Sequence, residues 1–184
     1  FDISHILDKK EIRRFDLFSQ YAMASSEEAI LDAKILDASI DRNKIGVIWS
    51  SGIGGVETFQ NEVIQYAQNN RVPKFSPFFV PRMIVDIASG HISMRHGFKG
   101  MNFSVVSACA SSTNAIIDSF NYLRLGRANI IVCGGSEASV NEVSIGGFNA
   151  LRALSERNDD PKSASRPYDA DRNGFVMGEG SGCL

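Results

Sequence analysis

The sequence has few cysteines and no long apolar stretch. Its three cysteines stand far apart among 184 residues without a CxxC pair, which argues against a disulfide framework and a cysteine-based metal site. No run of about 18 apolar residues and no charged-then-apolar leader occurs, so neither a membrane span nor a secretion signal is expected. The formal net charge of −2 provides no phosphate-neutralising face, which argues against general nucleic-acid binding. A reducing cytoplasm fits these features best.

Glycine and apolar residues are plentiful by contrast. Sixteen glycines and a hydrophobic content of 43% indicate an α/β chain with many tight turns and a sizeable core. Three apolar, largely β-branched runs, at 45–50, 103–106 and 129–133, are typical of buried strands, and helical spacing follows the first two. The order strand, helix, strand across 103–133 predicts a crossover that gives parallel pairing.

Helical periodicity also marks segments outside that unit. Asp8 and Glu11 have the spacing of a capping pair at the start of a helix. A second helix is predicted from about Phe15 to Ala38. A third is predicted from about Met83 to His96, with Gly97 as a left-handed stop.

Proline and polar residues predict the loops. Asn69–Pro81 carries three prolines among aromatic residues, and Ser155–Asp171 is polar and rich in turn residues. Gly146–Ala150 is a flexible-backbone stretch with one large aromatic residue, which indicates an anchored turn. The acidic pair Asp159 and Asp160 is expected to be solvated or paired with arginine rather than to bind a cation.

Cys109 lies where the second strand run gives way to a helix. The residues around it, Ser107 to Ser112, are small, and Ile116, Phe120 and Leu123 then recur at helical spacing. A side chain at such a turn faces the free N–H groups and positive dipole end of the helix, which favour an anion such as a thiolate. Small neighbours leave room for a substrate. Cys109 is therefore interpreted as a nucleophile, although a lone cysteine is more often a buried structural residue.

The other cysteines and the histidines show no catalytic pattern. Cys133 follows a strand but opens no helix, and Cys183 lies in a terminal glycine-rich strand, so both are interpreted as buried thiols. His91 and His96 are five residues apart on one predicted helix, about 140° around its axis, and do not form the i, i+4 pair of a metal site. With His5 isolated near the start, all three histidines are expected to be structural or solvent-facing.

A glycine loop follows the strand at 45–50. A dinucleotide-binding loop that starts at Gly52 and Gly54 would need a third glycine where the chain has Glu57, and no GKS or GKT follows for a P-loop. The loop is therefore assigned a packing role, in which its glycines bring the backbone close to a neighbour.

These segments together resemble one enzyme family. The run Val106–Ile116, VSACASSTNAI, closely resembles the nucleophile segment of the β-ketoacyl-[acyl-carrier-protein] synthases, the condensing enzymes of fatty-acid and polyketide synthesis. The similarity extends over essentially the whole chain and is greatest to the elongating type II enzyme. Further matching motifs are RRFD at 13–16, GIGG at 52–55, SPFFVP at 76–81, GHIS at 90–93, GGSEA at 134–138, GGF at 146–148 and RALSERNDDP at 152–161. Several motifs in the same order are far more specific than one cysteine.

The resemblance implies a thiolase-like α/β fold, in which two similar halves form an α-β-α-β-α layering. Residues 1–184 would then be most of the N-terminal ketosynthase half, without its opening strand and without the C-terminal half. Family members are homodimers whose strand before the nucleophile, here Asn102–Val106, pairs across the twofold axis. No metal or cofactor is implied, because the phosphopantetheine of acyl carrier protein carries the substrate.

The resemblance also implies roles for individual residues. Cys109 would hold the acyl group, while Ile53 and Phe148 match positions that line the acyl pocket. Residues that match carrier-protein docking or entrance positions are Lys10, Arg13, Arg14 and Arg152. Without the resemblance, Lys10, Arg13 and Arg14 would be interpreted as the solvated face of the first predicted helix. Two catalytic histidines, a lysine and a second oxyanion donor would come from later sequence.

The activity implied by the resemblance is that of a 3-oxoacyl-[acyl-carrier-protein] synthase in fatty-acid elongation. A polyketide ketosynthase would use the same Cys109 chemistry, and pocket residues do not separate the two. A non-catalytic partner subunit similar to a chain-length factor is disfavoured because Cys109 is retained. A thiolase that uses coenzyme A is a weaker alternative, because its cysteine motif differs. The 184-residue segment alone is expected to be inactive.

Overall fold

The computed structural model describes residues 1–36 and 39–184. The chain forms two compact units. The first comprises residues 1–138 and 180–184, and the second comprises residues 139–179. Among the described residues, no helix has both the length and the apolar character needed to cross a membrane.

Helices and short strands are interspersed along the described chain. The helices are α1 Lys9–Arg14, α2 Leu17–Asp32, α3 Val56–Gln68, α4 Phe79–Met83, α5 Ile87–His96, α6 Ser111–Arg124 and α7 Glu142–Ala150. The strands are β1 Ile45–Ser50, β2 Asn102–Phe103, β3 Ile130–Glu137 and β4 Gly180–Cys183. Single 3-10 turns occur at Arg42–Lys44, Ala108–Ala110 and Pro161–Ser163.

The strands of the first unit form one sheet in the order β2-β1-β3-β4. Strand β1 pairs in parallel with both β2 and β3, and β4 is antiparallel to β3. The parallel direction predicted across 103–133 is confirmed, with β1 between the two strands that the crossover connects. The carboxyl ends of β1, β2 and β3 therefore meet at one edge of the sheet, and the Cys109 segment follows β2 at that edge.

Strand β3 is longer than predicted, and β2 is shorter. The predicted end at Cys133 fails because the next four residues pair with β4. Close approach requires glycine there, since a Cβ at Gly134 would lie 2.1 Å from the Gly182 carbonyl oxygen. Strand β2 covers only two residues, and Val106, predicted to be buried, is exposed.

The first two helices begin at side-chain caps. The predicted capping pair of α1 is confirmed: Asp8 Oδ1 accepts from the Glu11 N–H at 2.8 Å, and the Asp8 N–H donates to Glu11 Oε2 at 2.9 Å. Asp16 caps α2, which is shorter than predicted and ends at Asp32. The predicted end at Ala38 lies outside the described residues.

Helices α4 and α5 divide a stretch that the sequence assigns to a loop and one helix. Helix α4 covers the end of the predicted loop, and Pro81 lies in its first turn, where a missing N–H breaks no intrahelical bond. Ile84 is extended, with ψ 139°, so α5 starts separately at Ile87 instead of Met83. It ends as predicted at Gly97, which has φ 67° and ψ 30°.

The core of the first unit has two layers of side chains, one on each face of the sheet. Val47 and Trp49 of β1 pack with residues of α2 and α5, whereas Ile48 points to the opposite face and packs with Ala115 of α6. Trp49 is fully buried, and its Nε1–H donates to Ser136 Oγ at 3.0 Å. The sheet is therefore covered by helices on both faces.

Helix α6 contacts the sheet through small side chains. Its buried residues are Ser111, Ala115 and Ser119. The apolar residues at helical spacing lie on its exposed side: Ile116, Ile117, Phe120 and Leu123. Phe120 is 59% exposed. The predicted helix is confirmed, but its apolar stripe is not the face that packs on this sheet.

The second unit consists of α7 and a long irregular segment. The turn predicted at Gly146–Ala150 is wrong, because these residues form the end of helix α7. Asn141 caps this helix by accepting from the Ser144 N–H at 3.0 Å, which helps to offset the cost of two glycines. Leu154 and Phe175 form a parallel bridge within the irregular segment.

Candidate active site

Cys109 lies in the 3-10 turn that leads directly into α6. The turn covers Ala108–Ala110, and the 14-residue helix starts at Ser111. The cysteine is exposed, as a nucleophile that meets a large substrate must be. Its backbone N–H has no hydrogen-bond partner among the described residues. The turn thus offers a thiol, a free amide donor and the positive end of a helix dipole at one place.

Serine and asparagine side chains hold this turn in shape. The Ser111 hydroxyl accepts from the Ser107 N–H at 2.9 Å and donates to the Ala108 carbonyl oxygen at 2.6 Å. Asn114 Nδ2, one turn into α6, donates to Ser107 Oγ at 2.6 Å. These bonds tie the residues on both sides of Cys109 to the helix, so the sulfur is carried by a constrained backbone.

Ala108 has a backbone conformation that is unfavourable for alanine. Its φ is 52°, in the left-handed region, which costs a non-glycine residue about 1 to 2 kcal/mol. The bond from Ser111 to the Ala108 carbonyl helps to offset that cost. This conformation turns the chain between β2 and α6 and places Cys109 at the start of the helix.

The glycine loop after β1 packs against the same turn. A Cβ on Gly52 would lie 3.4 Å from the Ala108 carbonyl oxygen and 2.9 Å from Glu137 Oε2, so the backbone passes closely between these groups. Glu137 Oε2 accepts from the N–H groups of Gly52 at 2.6 Å and Ile53 at 3.1 Å. The predicted packing role of the loop is confirmed, and its neighbours are the cysteine turn and the end of β3.

The other two thiols are poorly suited to nucleophilic attack. Cys133 is buried, and burial raises the pKa of its thiol. Burial also raises the pKa of Cys183 to about 12, with a smaller contribution from the neighbouring Cys133. Since the thiolate is the reactive form, both groups stay protonated and inert near neutral pH. Their predicted assignment as structural thiols agrees with this placement.

The histidines lie away from the cysteine chemistry, as predicted. His91 stacks on Phe15 with ring centroids 3.7 Å apart. His96 is buried, its Nε2 lies 3.2 Å from Glu27 Oε2, and its ring stacks on Phe98. His5 is exposed. Among the described residues, no group of three or more histidine, cysteine or acidic side chains could hold a metal ion.

His91 is expected to make the protein sensitive to acid. Desolvation lowers the pKa of His91 from 6.5 to about 4 in the folded state. The unfolded chain therefore binds more protons between these values, and folding stability is lost as the pH falls from above 6.5 towards 4. The loss from His91 alone is at most about 3 kcal/mol.

Urea unfolding at pH 7 and pH 4.5 measures this effect. His91→Phe keeps a ring against Phe15 and should narrow the difference between the two unfolding midpoints. His5→Gln, at an exposed position, serves as the control and should leave the difference as in the wild type. Equal acid sensitivity in His91→Phe and wild type would show that His91 titrates normally.

The remaining predicted site residues fall in both units. Ile53 lies on the glycine loop beside the cysteine turn and is 47% exposed. The basic residues Lys10, Arg13 and Arg14 are exposed on α1. Phe148 is half-buried in α7, where its ring packs edge-on against Phe175 at 5.2 Å.

Arg152 follows α7 in the second unit. It is exposed and has a left-handed φ of 54°. Its N–H donates to the Asn149 carbonyl oxygen at 2.8 Å, which closes the end of the helix. In the long polar segment beyond it, Asp160 pairs with Arg157 at 3.6 Å, in agreement with the expected arginine pairing.

Sequence reasoning missed the polar residues that shape the turn. The hydrogen bonds of Ser111, Asn114 and Glu137 could not be predicted from residue spacing. Their partners lie in a local turn or in a separate element of the fold. The motif GGSEA contained one usable signal: an acidic residue at the end of a buried strand requires a partner.

The fold and site together define a thiolase-like α/β protein with a cysteine at the start of a helix. The sequence matches the family described as "Beta-ketoacyl synthase, N-terminal domain" over residues 4–184. The chain belongs to the β-ketoacyl synthase family. The family resemblance drawn from the sequence motifs is confirmed.

Two curated relatives are named 3-oxoacyl-[acyl-carrier-protein] synthase 2. The relative from Synechocystis sp. is 45% identical over the whole of this chain, which covers 44% of the relative. The relative from Staphylococcus aureus is also 45% identical over the whole chain, with 45% of the relative covered. The chain thus spans less than half the length of these relatives.

Solved structures show the same fold. A β-ketoacyl synthase from Burkholderia phymatum superposes with a TM-score of 0.87 at 30% identity, over the whole of this chain and 45% of that protein. A ketosynthase in complex with a type II polyketide acyl-carrier protein superposes with a TM-score of 0.76 at 20% identity, over 85% of this chain and 45% of that one. The second likeness concerns the fold alone.

Proposed function

We propose that this chain is the N-terminal half of an elongating 3-oxoacyl-[acyl-carrier-protein] synthase. One observation carries the proposal: an exposed Cys109, with a free backbone N–H, opens α6 in a chain of the β-ketoacyl synthase family. The curated relatives of that name support fatty-acid elongation over polyketide synthesis.

The first half-reaction is acyl transfer to Cys109. The thiolate attacks the carbonyl carbon of an acyl thioester on the carrier protein, and negative charge develops on the carbonyl oxygen. The free N–H of Cys109 is one donor for that oxyanion, and the helix dipole stabilises charge at the same place. Collapse of the intermediate breaks the bond to the carrier's sulfur, whose thiolate takes a proton. The acyl group then remains on Cys109 as a thioester.

The second half-reaction forms the carbon–carbon bond. Malonyl carrier protein loses carbon dioxide, and the electron pair of the broken bond becomes a carbanion. That carbanion attacks the acyl carbonyl on Cys109, and the Cys109 thiolate leaves. The product is a 3-oxoacyl carrier protein. The histidines and lysine that assist decarboxylation come from outside this chain, so the segment alone should be inactive.

The basic residues of α1 are proposed to dock the carrier protein. Lys10, Arg13 and Arg14 are exposed, and none takes part in the ion pairs found among the described residues. Arg14 lies over the Phe78 ring, 4.8 Å from its centroid, which fixes one cation of the cluster. A positive surface suits an acidic partner. Arg152 is proposed to lie at the entrance for the same partner.

Charge reversal on α1 should weaken docking without touching the chemistry. The double variant Arg13→Glu with Arg14→Glu should raise the KM for acyl carrier protein about tenfold or more, and the wild-type KM should rise with ionic strength. The kcat with a small soluble acyl thioester should stay unchanged.

Lys34→Glu is the matched control for this experiment. It is exposed beyond the far end of α2, a helix about 24 Å long that starts next to α1. The control should keep the wild-type KM. A double variant that also keeps it would remove α1 from the docking surface.

Two surfaces are proposed to be covered in the complete protein. Strand β2 lies at the edge of the sheet, where free N–H and C=O groups favour pairing with another strand, and we assign Asn102–Val106 to a homodimer contact. The exposed apolar side of α6 is assigned to the second half of the synthase. A cytoplasmic location suits the free thiol of Cys109.

Product analysis tests the proposed reaction. The full-length protein, given an acyl carrier thioester and malonyl carrier protein, should release carbon dioxide and form a 3-oxoacyl carrier protein two carbons longer. Hydrolysis of the acyl thioester without a longer product would contradict the proposal. Repeated extension without reduction of the keto group would favour a polyketide ketosynthase.

A further inference from the structure

Glu137 lies at the end of β3, between that strand and the glycine loop after β1. Its Oε2 accepts from the Gly52 and Ile53 N–H groups at 2.6 and 3.1 Å, and its Oε1 accepts from the Ser51 hydroxyl at 3.1 Å. The side chain is half-buried, so these bonds are partly shielded from water. Bonds to an ionised acceptor are stronger than bonds between neutral groups.

The loop that receives this carboxylate is tightly folded. Ser51 Oγ also accepts from the Gly54 N–H at 2.9 Å, and Gly54 has a left-handed φ of 79°. Ser51 is buried. The carboxylate therefore sets the path of the backbone that carries Ile53.

The same loop touches the residue before the nucleophile. Gly52 lies between Glu137 Oε2 and the Ala108 carbonyl oxygen: a Cβ on Gly52 would lie 2.9 Å and 3.4 Å from them, so a larger residue would displace the Glu137 carboxylate. Ala108 has a left-handed φ and directly precedes Cys109. A shift of the loop would remove the support on one side of the cysteine turn.

We propose that Glu137 is a positioning residue, whose carboxylate holds the loop Ser51–Gly54 so that Ile53 and the backbone before Cys109 keep fixed places. The inference rests on the proposed function, because it assigns the loop to the wall of an acyl site. Glu137 is proposed to act through the loop amides whose hydrogen bonds it accepts.

The acylation rate of each Glu137 variant should depend on how many of the hydrogen bonds to the loop the new side chain keeps. Glu137→Gln keeps an oxygen for the loop amides and can direct its NH₂ group to Ser51 Oγ, so most of the geometry survives. Glu137→Ala leaves the Gly52 and Ile53 amides without this acceptor. Because a displacement of about 1 Å can cost on the order of 100-fold in rate, Glu137→Ala should acylate Cys109 about 10- to 100-fold more slowly. Glu137→Gln should lose less than about fivefold.

Glu57→Gln and Ile53→Ala are the matched variants. Glu57 is exposed and follows the loop closely, so Glu57→Gln removes a nearby charge and should acylate like the wild type. Ile53→Ala shortens the side chain without changing the backbone bonds. It should alter the preference for acyl length, whereas Glu137→Ala should slow long and short chains alike.

The experiment measures two properties of the full-length protein. Single-turnover acylation by acyl carrier thioesters gives the rates. Amide hydrogen exchange of residues 50–55 reports on the loop without any substrate, and exchange should be about 100-fold faster in Glu137→Ala and near wild type in Glu137→Gln.

The outcomes separate the two proposals. If the wild-type protein accepts no acyl group, the proposed function is overturned. Fast amide exchange of residues 50–55 in Glu137→Ala would still support the role of Glu137 in holding the loop. If the wild type and Glu137→Ala acylate equally fast and residues 50–55 exchange at the same rate in both, the positioning role of Glu137 is overturned. Should Glu137→Ala fail to fold, rapid exchange and slow acylation in Glu137→Gln would support the role, and wild-type values for both would overturn it.

Discussion

Cys109→Ala will abolish acyl transfer in the full-length synthase, with a loss of at least about 1,000-fold in condensation rate. The substitution removes the sulfur that holds the acyl group between the two half-reactions. The variant should still fold, because Cys109 is exposed and alanine already occupies both neighbouring positions of the 3-10 turn. The measurement is the initial rate of 3-oxoacyl carrier protein formation, together with the unfolding midpoint as a check on folding.

Cys183→Ala is the matched control for this result. The Cys183 thiol is partly buried and has a pKa raised to about 12, so it contributes no thiolate near neutral pH. The control should keep the condensation rate of the wild type within about twofold. Substantial condensation by Cys109→Ala, or its loss in Cys183→Ala, would place the nucleophile elsewhere.

Gly135→Val should both destabilise the protein and impair acylation of Cys109. A Cβ at this position would lie 2.1 Å from Ser112 Oγ and 2.9 Å from the Ser50 carbonyl oxygen. Ser112 belongs to the first turn of α6, so the added atoms would push the start of that helix away from β3. Overpacking of this kind should cost about 3 kcal/mol or more. Urea unfolding measures the stability, and single-turnover acylation should slow at least about tenfold.

Two further variants define the cause of this effect. Gly90→Ala lies on α5, where an added Cβ meets no heavy atom within 4 Å, and should be neutral or stabilising by up to about 1 kcal/mol. Gly135→Ala adds only the Cβ and should also be destabilised. The double variant Gly135→Ala with Ser112→Gly should be more stable than Gly135→Ala, because it removes the contact with Ser112 Oγ but not the one with the Ser50 carbonyl oxygen. A Gly135→Val protein with wild-type stability would contradict the close packing of α6 on β3.

Most elements of the first unit could be predicted from the sequence because each rests on a local pattern, whereas α4 lies in a predicted loop and α7 covers a predicted turn. The buried run Ile45–Ser50, the capping pair of α1 and the stop at Gly97 follow from β-branched residues, side-chain caps and a left-handed glycine. The placement of Cys109 before a helix follows from the same logic.

The direction in which the helices face was not readable from the sequence. Periodicity identifies the apolar stripe of α6, but the side that packs on the sheet is the small-residue side, Ser111, Ala115 and Ser119. Close approach to the glycine-bearing strand β3, where Gly135 lies beside Ser112, selects small residues, and helical spacing alone does not show which side of α6 meets that strand. An apolar stripe left exposed at Phe120 requires a partner that these residues do not include.

The hydrogen bonds that hold the glycine loop beside Cys109 could not be predicted from the sequence either. The carboxylate of Glu137 meets the amides of Gly52 and Ile53 across 84 or more positions of sequence. No spacing rule links such residues, because the contact is made when β1 and β3 pair side by side. The nucleophile could be predicted, whereas the residues that hold its surroundings required the structure.

The most direct test of this account is the intact mass of the full-length protein after incubation with an acyl carrier thioester, followed by peptide mapping. We expect one acyl group per chain, confined to the peptide that contains Cys109. An acyl group on the peptide of Cys133 or Cys183, or no adduct at all in a folded protein, would contradict it.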